Sequence, residues 1–122
     1  MLGACTPKAM IPITDLEAAK AFYGQILQLE FLEENQAFVV FAGIGANLHL
    51  EKVRPFTPHP FTTFGWSVAD VPAAARHLAG RGVKFERFEG MVQDELGIWI
   101  PPGADHGVCW FKDPDGNLLS LS

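Results

Sequence analysis

The chain is short of nearly everything that would mark a nucleic-acid binder, a membrane protein or a disulfide scaffold. Lys and Arg number 9 against 14 Asp and Glu, and no basic run interleaves with aromatics, so nucleic acid is not an expected partner. The apolar stretches are short and broken by Gly, Pro and charge, so none is read as crossing a bilayer. The two cysteines, Cys5 and Cys109, make neither a metal-ligand spacing nor a disulfide framework. Cys109 is expected to pack in a strand as a small hydrophobe rather than act as a reactive thiol. Leu2-Gly3-Ala4-Cys5 has the small residues of a lipoprotein cleavage site, yet no basic or apolar segment precedes it, and a cytoplasmic location is the expectation. Gly-rich phosphate loops, nucleophile elbows and HExxH patterns are also absent.

What is there is a core-forming composition with an internal repeat. Over 122 residues the chain is 48% hydrophobic and only 19% charged, with a net charge of −5, which predicts one ordinary domain able to bury a sizeable core. Ile13-Thr14-Asp15-Leu16-Glu17-Ala18-Ala19 and Val68-Ala69-Asp70-Val71-Pro72-Ala73-Ala74 align at an offset of 70 − 15 = 55. Each Asp follows an apolar run and opens an Ala-rich amphipathic segment. That is the pattern of a strand leading into a helix whose first amide protons are capped by the carboxylate.

Periodicity extends this reading along the chain. A strand over 9–13 is followed by a helix over 16–27, with Leu16, Ala19, Phe22, Tyr23 and Ile26 on one face. Partly alternating stretches near 29–33, 37–42 and 46–51 read as three strands separated by turns at Asn35 and Gly43–Gly45. The segment from Arg54 to Phe61 holds three prolines and cannot be a central strand. The order then returns: a strand over 62–68, a helix over 71–79, and strands near 84–88, 97–100, 107–111 and 117–121. Asp113-Pro114-Asp115-Gly116-Asn117 specifies a tight turn before the last of these. The organisation is a single domain, with module one over 1–53, a linker over 54–61 and module two over 62–122. The fold class is α+β: two βαβββ modules paired into a curved, cleft-forming mixed sheet with helices outside.

The doubled βαβββ plan, the Asp15-Leu16-Glu17-Ala18-Ala19-Lys20-Ala21-Phe22-Tyr23 start and the Trp110-Phe111-Lys112-Asp113-Pro114-Asp115-Gly116-Asn117-Leu118-Leu119 ending resemble the vicinal oxygen chelate superfamily. This group includes glyoxalase I, the bleomycin-resistance proteins and the extradiol dioxygenases. In its metal-dependent members the ligands come from the first and last strands of each module. The resemblance maps those positions to Lys8 and Thr63, seven residues before each capping Asp, and to His49 and Ser120, the centres of Leu48-His49-Leu50 and Leu119-Ser120-Leu121 at an offset of 120 − 49 = 71. Only one of the four is a good metal donor, whereas a divalent catalytic site needs three or four. No metal or other cofactor is therefore expected.

Strand alternation predicts which other side chains reach the cleft. Asn47, His49 and Glu51 share one face of module one, and Leu118, Ser120 and Ser122 the matching face of module two. Carried one strand further, the offset of 71 pairs Val39 with Trp110. The resemblance implies that Phe111, before the Asp113-Pro114-Asp115-Gly116 turn, packs under the helix; alternation then turns Trp110 toward the cleft and places Val39 and Phe41 on the corresponding face of module one, where Phe41 can complete a stacking platform with Trp110. Trp66 is assigned to helix packing, and Trp99 to a segment of unfixed register that can line the entrance. Asp94, Glu95, Asp105 and His106 form either a solvated rim or, for the last two, a proton-transfer pair. His59 and His77 read as surface residues.

The expected ligand-binding residues are thus Phe41, His49, Glu51, Trp99, Trp110 and Ser120, with no catalytic residue assigned. The expected function is metal-independent binding of a planar or amphipathic small molecule, resembling the bleomycin-resistance branch. The alternative is a metal-dependent lyase or dioxygenase resembling glyoxalase I, whose incomplete site is supplemented from elsewhere. A further reading gives His49 a general-base role near neutral pH. The resemblance also implies a homodimer, leaving open whether modules pair within one chain or between two.

Overall fold

The computed structural model describes residues 1–122 and contains two compact units, Met1–Thr57 and Pro58–Ser122. Unit 1 opens with a 3-10 turn, Leu2–Ala4, and runs β1 (Lys8–Ile13), α1 (Leu16–Ala19), β2 (Phe31–Glu34), β3 (Phe38–Phe41) and β4 (Asn47–Lys52). Asp15 caps α1 as its position requires: its Oδ1 accepts from the Glu17 and Ala18 amides at 3.0 and 3.2 Å. The helix then widens into π geometry over Lys20–Ile26. There Leu27 N donates to Phe22 O, five residues back, at 2.9 Å.

The sheet of unit 1 has the order β1-β4-β3-β2, with β1 parallel to β4 and the remaining neighbours antiparallel. One face buries Ile11, Ile13, Val39, Phe41, Leu48 and Leu50 together with Tyr23 and Phe22 of the helical segment. Gly24 permits the close approach of helix to sheet, since a Cβ there would lie 3.2 Å from the Phe41 ring.

Unit 2 repeats the plan in abbreviated form: β5 (Phe64–Trp66), α2 (Val71–Gly80), β6 (Cys109–Lys112) and β7 (Leu118–Leu121). The order is β5-β7-β6, again with the first strand parallel to the last. Asp70 caps α2 by accepting from Ala73 N at 2.9 Å. The two further strands expected near 84–88 and 97–100 are reduced to single bridges, Phe85 with Phe111 and Trp99 with Val108. The cause lies between them, where Gly90 and Gly97 adopt positive φ and Gln93 takes over the hydrogen bonding. Its side chain accepts from Phe88 N and donates to Glu86 O and Gly97 O, so this stretch is held by one amide side chain instead of a ladder.

The turn before β7 follows the expected chemistry. Buried Asp113 accepts from the Asp115 and Asn117 amides and from Asn117 Nδ2 at 2.9–3.0 Å, and Gly116 supplies φ +89. The core of unit 2 gathers Cys109, Phe111, Leu119 and Leu121 beneath Val71, Ala75 and Leu78 of α2. Trp66 joins this layer, stacked on Phe111 at 6.4 Å, in its expected helix-side position.

Candidate functional site

Each sheet has a helix-packed face and an opposite, open face, and strand register decides which residues belong to which. In unit 2, Gly65 pairs with Ser120 and Trp110 pairs with Ser120 from the other side, so these three residues sit side by side on the open face. In unit 1 the equivalent row is Met10, His49 and Val40. The offsets of 55 and 71 thus superpose β5 on β1 and β7 on β4 in register.

The offset of 71 does not carry into the preceding strand. Phe41 faces Leu48, a separation of 48 − 41 = 7, whereas Phe111 faces Leu119, a separation of 119 − 111 = 8. The connection in unit 2 is one residue longer. The true counterpart of Trp110 is therefore Val40, and that of Phe41 is Phe111. A one-residue slip exchanges the faces, so the placement of Phe41 and Val39 on the open side is corrected. Phe41 is 1% exposed, stacked on Tyr23 at 6.3 Å and edge-on to Phe31 at 6.2 Å, within the helix-side core.

Trp110 does lie on the open face, half-buried. Its indole donates to Thr62 Oγ1 at 3.1 Å, which fixes the ring plane. Phe88 meets it edge-on at 5.4 Å and Trp99 lies 6.3 Å away, tilted by 31°. The bridge between Trp99 and Val108, with N···O distances of 2.8 and 2.9 Å, supplies the register for Trp99 that periodicity left open. Trp99, Trp110 and Ser120 are thus brought together. Glu86 and Lys112, paired at 3.3 Å, border the same group.

Gly65 leaves room here. A Cβ on it would collide with Ser120 Oγ and lie 3.0 Å from Ser120 O, so the missing side chain is what lets the serine hydroxyl occupy the space beside Trp110. Phe88, Thr62 and Gly65 were not among the expected site residues. Alternation outward from Phe85, which packs edge-on against Phe111, would have placed Glu86 and Phe88 on the open face. Nothing in the sequence pattern points to Thr62 as the partner of a tryptophan 48 residues away.

His49 and Glu51 share the open face of unit 1, where Glu51 borders Pro12 and Phe38. His49 is half-buried, with its ring 6.1 Å from that of Phe38. Asp105 and His106 do form a pair, at 2.7 Å, on the hairpin between Trp99 and Val108, with side chains 94% and 72% exposed. A pocket of about 330 Å³ opens beside the aromatic group, lined by Val92, Gln93, Asp94, Ile98, Trp99 and Ile100.

A family model described as the Glyoxalase/Bleomycin resistance protein/Dioxygenase superfamily matches residues 6–121. The chain belongs to this superfamily. Solved structures share the fold of this superfamily member at low identity. An antibiotic binding protein from Streptomyces sp. CB03234 is 24% identical with a TM-score of 0.72, covering 100% of this chain and 97% of its own. A glyoxalase family protein from Enterococcus faecalis is 20% identical with a TM-score of 0.71, covering 99% and 98%. A lactoylglutathione lyase from Agrobacterium tumefaciens is 16% identical with a TM-score of 0.68, covering 97% and 92%. No curated protein matches the chain.

The superfamily includes metal-dependent enzymes, and the residues present do not fit a divalent ion. The matched positions carry an amine at Lys8, an imidazole at His49 and hydroxyls at Thr63 and Ser120. No three His, Cys, Asp or Glu side chains converge in a way that could hold a metal. No helix is long and apolar enough to cross a membrane.

Proposed function

We propose that this superfamily member is a metal-independent small-molecule binding protein that holds a planar or amphipathic compound against the Trp110, Trp99 and Phe88 group. The observation that carries this reading is the aromatic group on an open sheet face, its two tryptophans half-buried and Phe88 exposed, with Ser120 beside it. Aromatic faces supply large contact area at low entropic loss, with stacking geometry that favours planar partners. Ser120, within reach of the same ligand, adds a hydroxyl that can donate or accept. On unit 1, His49 and Glu51 are proposed as polar contacts for ligand. Phe41 has no direct part, because it lies under the helix. In this reading the protein works by sequestration and acts in the cytoplasm as a homodimer; one structural neighbour is named an antibiotic binding protein.

Titration with planar compounds followed by Trp fluorescence tests the binding. Saturable quenching in the wild type that is lost in Trp110→Ala is the expected result. Wild-type fluorescence indifferent to every compound class would reject the proposal. Sedimentation analysis reads the oligomeric state separately, where a monomer at all concentrations would contradict the dimer.

A further inference from the structure

The pocket beside Trp99 differs in character from the aromatic platform. Val92, Ile98, Trp99 and Ile100 make its walls apolar, and two of them, Val92 at 87% and Ile100 at 60%, are far more exposed than large aliphatic side chains in a packed surface. Two polar residues complete the lining. Gln93 is committed: its amide nitrogen donates to two carbonyls and its oxygen accepts from Phe88 N.

Asp94 is committed through only one of its oxygens. Oδ1 accepts from the Leu96 and Ile98 amides, both at 2.9 Å, which locks the carboxylate in place, and Oδ2 is left for a ligand. No cationic side chain lines the pocket. Arg87 donates to the Gln93 carbonyl at 3.4 Å. A carboxylate fixed by two amides and a tryptophan that line one apolar pocket suit a positive charge carried on an apolar body. The ring quadrupole and the carboxylate both attract it.

We propose that this pocket is a subsite for the cationic group of an aromatic or amphipathic amine, with Asp94 as its counter-ion and Trp99 as the wall it shares with the platform. The subsite stands on the pocket's own geometry and can hold or fail independently of binding at Trp110.

The test compares aminoacridine, cationic at neutral pH, with acridine, neutral at the same pH and of nearly the same shape. Binding is measured by calorimetry to the wild type, Asp94→Asn and Trp110→Ala. Asparagine keeps Oδ1 as acceptor for the two amides while removing the charge, and a thermal melt within a few degrees of wild type checks that the loop is intact. The expected result is roughly tenfold tighter binding of aminoacridine, a preference abolished by Asp94→Asn and weakened by added salt. Equal affinities for both probes, or a preference that survives Asp94→Asn, would overturn the subsite even if both probes depend on Trp110. A preference lost in Asp94→Asn, with the affinities of both probes untouched by Trp110→Ala, supports the subsite and removes the platform. Absence of binding by either probe rejects both.

Discussion

Gly65 and Ser120 face each other across β5 and β7, and their fit shows how little space the open face of unit 2 has to give. A methyl group at Gly65 must displace the Ser120 hydroxyl or the strand that carries it. Gly65→Ala is expected to destabilise by about 1–3 kcal/mol, the usual range for overpacking, and to weaken ligand binding by moving Ser120. Urea denaturation with a parallel titration checks both; unchanged stability would mean that the strands separate more freely than their register implies. The correspondence of Ser120 with His49 was legible, because Leu48-His49-Leu50 and Leu119-Ser120-Leu121 are visibly alike. The role of Gly65 was not, because a glycine's use lies in what stands beside it.

Cys109 makes a second prediction at this scale. Fully buried among apolar side chains, its thiol is pushed up to about 11, first by burial and then by the Asp94 carboxylate. An unfolded thiol ionises near about 8.5, so above that pH the unfolded chain binds fewer protons than the folded one. This contribution to stability is complete below that range and is lost as pH rises toward about 11, with a slope of up to about 1.4 kcal/mol per pH unit. Urea midpoints across this window should fall more steeply for the wild type than for Cys109→Ala; parallel curves would contradict the buried placement. Native-state thiol labelling should meanwhile modify exposed Cys5 and leave Cys109 unreacted.

At the scale of elements, the strands that pair in register were readable and the one reached through a turn was not. Both N-caps follow from the capping carboxylates, and the outward face of Trp110 follows from alternation once the family resemblance places Phe111 in the core; the parallel first-to-last pairing of each sheet came only with the structure. Phe41 was misplaced because the repeat was assumed to keep its spacing through a connection that is one residue longer in unit 2. Turn length is invisible to apolar periodicity, yet it decides which face every residue beyond the turn presents. The shortened strands at 84–88 and 97–100 escaped notice for a related reason: Gln93 replaces ladder bonds with side-chain bonds, which no periodic pattern reports.

The corrected register separates two aromatic substitutions that the uncorrected one would treat alike. Phe41→Ala should cost about 3–5 kcal/mol, as for a fully buried phenylalanine, and leave the ligand affinity of the folded fraction unchanged. Trp110→Ala should do the reverse, with a smaller loss of stability and a large loss of affinity. Loss of affinity in a folded Phe41→Ala protein would put that ring back on the ligand side.

For the whole molecule, superfamily membership establishes the fold and leaves the chemistry to the site. Neighbours of nearly equal structural similarity include an antibiotic binding protein and a lactoylglutathione lyase, so the scaffold does not choose between binding and catalysis. The donor set does bear on the choice: one imidazole, one amine and two hydroxyls at the four matched positions include only one good donor for a divalent ion. Protein purified without chelator should carry far less than one equivalent of transition metal by elemental analysis. Stoichiometric zinc, nickel, manganese or iron that disappears in His49→Ala would restore the lyase reading.

The proposed binding depends on a planar ligand resting on the aromatic group of unit 2. A Trp fluorescence titration of the wild type and Trp110→Ala with the same planar compounds tests it most directly. Saturable quenching in the wild type and its loss in the variant, with the variant's fold intact by circular dichroism, is the predicted result. Equal affinity in the two proteins, or no response in the wild type to any compound, would contradict it.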